Sequence, residues 1–75
     1  METVTLIITS RNAFGILQRI LGVIEVRGWM VQSLTFSTDD DDARIWIDVT
    51  PRPHARSAEN LRRQIAGLYD VREVI

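Results

Sequence analysis

The sequence predicts an α+β sandwich, a four-stranded antiparallel sheet with two helices on one face, built in the order β-α-β-β-α-β. Three observations predict it. The apolar residues recur with the period of a strand, then a helix, then two strands, a helix and a final short strand. The second and third strands are separated only by an acidic turn, as in a hairpin. At 75 residues the chain has room for one core, so residues 1–75 are read as a single domain.

Each element has its own warrant. Residues 3 to 9 are rich in β-branched side chains and place Val4, Leu6 and Ile8 on one face, with Thr3, Thr5, Ile7 and Thr9 on the other. Ser10, Arg11 and Asn12 break that pattern. From Phe14 to Val26 the period becomes helical, with Ile16, Leu17, Ile20, Leu21, Val23 and Ile24 on one side and Gln18, Gly22 and Glu25 opposite. Asn12 is available as its cap and Gly28 stands in the usual stop position. Trp29 to Thr38 favours strand, but Val31 is out of phase with Leu34 and Phe36, which predicts a β-bulge at Gln32 and Ser33. Asp39 to Asp42 form a solvated turn, after which Ala43, Ile45, Ile47 and Val49 alternate with Arg44, Trp46, Asp48 and Thr50. Two prolines in Thr50–Pro53 end that strand. A second helix begins near Ala55 or Ser57, with Ala58, Leu61, Ile65 and Leu68 inward and Glu59, Asn60, Arg62, Arg63 and Gln64 outward; Tyr69 to Ile75 complete the sheet. This is the ferredoxin-like split βαβ order, with right-handed crossovers placing both helices on one side.

Composition narrows the function classes. The chain has no cysteine, which excludes disulfides, thiolate metal sites and cysteine nucleophiles. Ten acidic against nine basic residues give a formal charge of −1, without the cationic excess that neutralises phosphates, so no nucleic-acid partner is expected. All basic residues are arginine, which removes lysine Schiff-base chemistry and a Walker-type lysine. No run approaches the roughly 20 apolar residues of a membrane span, and the expected location is the cytoplasm.

The residues offer no catalytic constellation and no metal set. His54 lies beside Pro53 in a loop, the serines are scattered, and no Gly-x-Ser-x-Gly elbow occurs. The four aspartates lack the glycine and the distal glutamate of a calcium loop. An RNA-recognition module of the same strand order needs aromatic residues on both central strands, and the first strand has none. Arg52, Arg56, Arg62 and Arg63 read as a solvated helix face. Arg27 can interact with the last carbonyls of the first helix. More informative is Asn12-Ala13-Phe14-Gly15, a strand-to-helix turn where free N–H groups and the positive dipole end can receive a carboxylate. Its plainer reading is a helix cap with a packing glycine. Trp46 should project from the face opposite the helices, either as a contact-surface aromatic or as a lone surface tryptophan packed across neighbouring strands.

Two runs carry a family resemblance: Asn12-Ala13-Phe14-Gly15-Ile16-Leu17-Gln18-Arg19-Ile20, and Arg27-Gly28-Trp29-Met30-Val31-Gln32-Ser33-Leu34-Thr35. Together with the ending Leu68-Tyr69-Asp70-Val71-Arg72-Glu73-Val74-Ile75, they resemble the ACT domain of acetolactate synthase small subunits in its minimal single-domain form. The resemblance implies the same βαββαβ fold, a side-by-side homodimer, and a branched-chain amino acid, typically valine, bound between protomers. It further implies a large thiamin-diphosphate-dependent catalytic subunit as partner, with no cofactor on this chain, which would activate and regulate that enzyme. Asn12 and Gly15 match the family's ligand turn, Ala13 and Phe14 lie within it, the position of Met30 would reach the ligand from the second strand across the dimer, and Val31 is a further candidate ligand-binding residue. Met30 stands where feedback-sensitive members usually have asparagine, and a missing amide partner would weaken binding by about 1 to 3 kcal/mol. A stand-alone amino-acid-sensing ACT module regulating another enzyme or transporter is the alternative.

Overall fold

The computed structural model describes residues 2–75; Met1, counted within the single expected domain, lies outside the described residues. Its elements are β1 (Val4–Arg11), α1 (Ile16–Val26), β2 (Trp29–Thr38), β3 (Asp42–Pro51), α2 (Ala58–Ala66) and β4 (Val71–Val74). The sheet order is β2-β3-β1-β4, and every neighbouring pair is antiparallel. This is the ferredoxin-like βαββαβ arrangement that the periodicities predict.

Val4, Leu6 and Ile8 of β1 and Ile45, Ile47 and Val49 of β3 line the inner face of the sheet, where they meet Ile16, Ile20 and Ile24 of α1 and Leu61 and Ile65 of α2. Burial of one such aliphatic side chain is worth about 1.5 to 3 kcal/mol, so this cluster is the main stabilising term. Among the described residues, no helix is long and apolar enough to cross a membrane.

Several boundaries differ from the sequence expectation. β1 continues through Ser10 and Arg11, which pair with Ala43 and Asp42. Ser10 is buried and its hydroxyl donates to the Arg11 carbonyl at 3.0 Å, so a polar residue inside the strand is satisfied locally. α1 starts at Ile16, not Phe14, and its N-cap is Gly15 in a left-handed conformation (φ 77°) without a side-chain cap. Asn12 is therefore not the cap; its amide is engaged elsewhere. β4 is shorter than expected because Tyr69 and Asp70 belong to the preceding turn, where Asp70 takes φ 81°.

Other expectations hold. The register of β2 against β3 slips between Val31 and Ser33, and the looped-out Gln32 donates through Nε2 to the Thr50 hydroxyl at 2.9 Å. α2 begins at Ala58, next to the expected start near Ala55 or Ser57, and Ser57 caps it by accepting the Asn60 N–H at 3.0 Å. Asn60 is less outward than its helical position suggests, since its side-chain oxygen is buried without a partner. Gly28 ends α1 with φ 90° and lies so close to α2's leading loop that a Cβ there would stand 2.9 Å from the Ala55 Cα.

Candidate functional site

The β1–α1 turn gathers four of the expected site residues. Asn12, Ala13, Phe14 and Gly15 join Ile16, Leu17, Gln18 and Phe36 around an open groove of about 320 Å³. Ala13 makes the turn tight: its N–H donates to the Arg11 carbonyl (2.9 Å) and its carbonyl accepts the Ile16 N–H (3.1 Å). After Ile16, the next helical N–H to reach back to the turn is that of Arg19, which donates to the Gly15 carbonyl at 3.1 Å. The N–H groups of Leu17 and Gln18 precede it at the positive end of the helix, where an anion is favoured. Phe14 is fully exposed at the tip of this turn.

Met30 and Val31 lie elsewhere. They line a second groove of about 400 Å³ with Leu21, Glu25, Leu34 and Arg52. Within one chain, the two halves of the expected site do not meet. Both grooves nevertheless run along one channel between α1 and the unpaired edge of β2. Val31, Leu34 and Phe36 sit on that edge and remain 36, 38 and 39% exposed, although their cross-strand partners Val49, Ile47 and Ile45 are fully buried. Sequence reasoning left Leu17, Leu21, Glu25, Phe36 and Arg52 out of the site. The signal was available for Leu17 and Leu21, which fall four residues apart on the apolar side of the helix; Glu25, one turn further on, belongs to the polar side in the sequence pattern and gave none.

Asn12 is tied to the acidic turn. Its Nδ2 donates to the Asp39 carbonyl at 3.0 Å, and its N–H donates to the Asp41 carbonyl at 2.9 Å. The Asp39 carboxylate accepts the N–H groups of Asp42 (2.8 Å) and Asp41 (3.0 Å), which hold its pKa below the usual carboxylate value. On the outer face of the sheet, Asp48 accepts the hydroxyls of Thr5 (2.6 Å) and Ser33 (2.7 Å), and these bonds likewise lower its pKa. Trp46 projects from this outer face, 55% exposed, as its phase predicts.

Several motif residues serve the framework. Arg19 grips the α2–β4 turn, with its guanidinium 3.0 Å from the Asp70 carboxylate and 3.1 Å from the Tyr69 carbonyl. Arg27 does not bond the last carbonyls of α1 through its side chain; it donates to the Gln64 amide oxygen of α2 at 2.9 Å. Trp29 is buried and its indole donates to the Arg56 carbonyl at 2.9 Å.

Compared with known families, the sequence matches the ACT domain over residues 12–74. The chain belongs to the ACT domain family. ACT domains are regulatory, non-catalytic modules that generally sense amino acids. Among solved structures, this ACT domain is similar to the ACT domain from GTP pyrophosphokinase of Chlorobium tepidum, with a TM-score of 0.77, 13% identity, and coverage of 97% of this chain and 94% of that one. It is similar also to formyltetrahydrofolate deformylase from Burkholderia mallei, with a TM-score of 0.78 and 18% identity, covering 100% of this chain but 28% of that one. At these identities the likeness is one of fold. No curated protein matches the chain.

Proposed function

We propose that this ACT domain is the non-catalytic, activating small subunit of an acetolactate synthase, acting as a homodimer with a branched-chain amino acid such as valine as its effector. One observation carries the reading. The two halves of the motif-derived site lie toward opposite ends of the exposed β2 edge, with Phe36 beside the β1–α1 turn and Met30 at the start of the strand. Two-fold antiparallel pairing along that edge would bring the turn of one copy to Met30 and Val31 of the second. It would also cover the partly exposed row Val31, Leu34 and Phe36, and satisfy the edge's unpaired backbone groups.

In this arrangement the effector's carboxylate meets the N–H groups at the start of α1, and its aliphatic side chain meets Leu17, Phe36 and the Met30 of the second copy. Met30 offers no hydrogen bond, so activation of the large subunit is the main role and valine binds weakly. The identity of the partner rests on the matched motifs alone.

The test is acetolactate synthesis by the cognate large subunit with and without this chain, each with and without millimolar valine. Activation supports the assignment. Restoration of tight valine inhibition by Met30→Asn would support the composite site. A chain that neither binds nor activates the large subunit would overturn the partner and leave the family.

A further inference from the structure

We propose that the acidic β2–β3 turn is the positioning element of the effector groove, with Asp39 acting through Asn12. The inference rests on the effector reading given above and concerns its regulation. An asparagine amide carries two N–H donors and an acceptor oxygen. One of the two donors of Asn12 is committed to the Asp39 carbonyl (3.0 Å), which fixes the plane of the amide. Among the described residues the second N–H and the oxygen have no protein partner, and Asn12 lines the groove with Gly15, Leu17 and Phe36.

The carbonyl that fixes Asn12 is itself held by a built turn. The Asp39 carboxylate accepts the N–H groups of Asp41 and Asp42, the Asp39 N–H donates to the Asp42 carbonyl at 2.9 Å, and Arg72 of β4 donates to the Asp42 carboxylate. The Asn12 N–H to Asp41 contact, at 2.9 Å, closes the ring between the two turns. A groove ligand that bonds Asn12 therefore gains from an ordered acidic turn. By reciprocity of binding free energies, its occupancy orders that turn by the same factor.

The experiment is an NMR titration of the full chain with L-valine, comparing the native protein with Asp39→Ala and Asp39→Asn. Asp39→Ala removes the acceptor of both the Asp41 and the Asp42 N–H groups without touching the groove; a turn loosened by about the net worth of one hydrogen bond predicts a roughly five-fold weaker valine affinity. Asp39→Asn keeps an acceptor oxygen while removing the charge, and should restore affinity. Valine should also slow solvent exchange of the Asp41 and Asp42 amides in the native protein. Unchanged affinity in Asp39→Ala would overturn the proposal, as would valine binding that leaves those amides unaffected. Weakening in both variants would overturn it in favour of a charge effect. A native protein whose Gly15 to Gln18 amides ignore valine would overturn the effector reading and this proposal together. That failure is distinguishable, because the Asn12 side-chain resonance of Asp39→Ala reports the tie between the turns without any ligand.

Discussion

Two glycines of this chain should respond to the same substitution with opposite signs. At Gly28 the backbone is left-handed (φ 90°) and an added Cβ meets the Ala55 Cα at 2.9 Å, a backbone atom that cannot swing aside. Gly28→Ala should therefore destabilise the fold by about 1 to 3 kcal/mol in urea unfolding. Gly22 lies on the exposed side of α1, and an added Cβ there meets no atom within 4 Å. Gly22→Ala should stabilise by about 0.5 to 1 kcal/mol through helix propensity. A second residue-level expectation concerns acid. The hydroxyls of Thr5 and Ser33 stabilise ionised Asp48 only when the three strands are assembled, so its pKa is lower folded than unfolded. Such a group stabilises the fold fully above its unfolded value of 3.8, and the contribution disappears as pH falls through the folded value. Asp39 adds a term of the same sign through the N–H groups of Asp42 and Asp41. Thermal midpoints measured from about pH 6 down to pH 2 should fall more steeply for the native chain than for Asp48→Asn.

β2 is the element on which fold and proposed function meet. It is a ten-residue edge strand whose inner face outruns the cover that α1 gives it, leaving Val31, Leu34 and Phe36 partly exposed. Long apolar edges associate. Leu34→Glu should shift sedimentation from dimer to monomer, since a two-fold contact carries the charge twice, and the association constant should fall by about a hundredfold or more. The far-ultraviolet spectrum should keep its native form, because Leu34 is no member of the buried core. A native chain that sediments as a monomer at micromolar concentration would remove the dimer itself. Much of this element was legible in the sequence. The phase break at Val31 located the bulge at Gln32, and alternation put Leu34 and Phe36 on one face. The start of α1 was not legible, because its cap is a backbone conformation at Gly15 and not a side chain, while Asn12, the apparent cap, suits a turn tether equally well. The family resemblance offers Asn12, Gly15, Met30 and Val31 as candidates. It could not say that they fall in two grooves, because distance across the α1–β2 channel is set by packing and not by separation along the chain.

At the scale of the whole molecule, the question is how so short a chain remains folded. Seventy-five residues at the usual per-residue stability give about 4 to 11 kcal/mol. The core that supplies this is one-sided: the inner face of the sheet is covered by α1 and α2, whereas the outer face leaves Trp46 half exposed. Pairing along β2 would extend the sheet and close the α1–β2 channel, adding apolar burial that the single chain lacks. Unfolding would then release two chains from one folded unit, which makes stability depend on concentration. A hundredfold rise in protein concentration should stabilise the dimer by about 2.7 kcal/mol and raise its thermal midpoint by several degrees. The midpoint of Leu34→Glu should not move over the same range. Parallel scans of both proteins separate the contributions: a native midpoint independent of concentration would place all the stability in the single-chain core. A shared concentration dependence would move the interface from β2 to another surface, with the Trp46 face next to be tested.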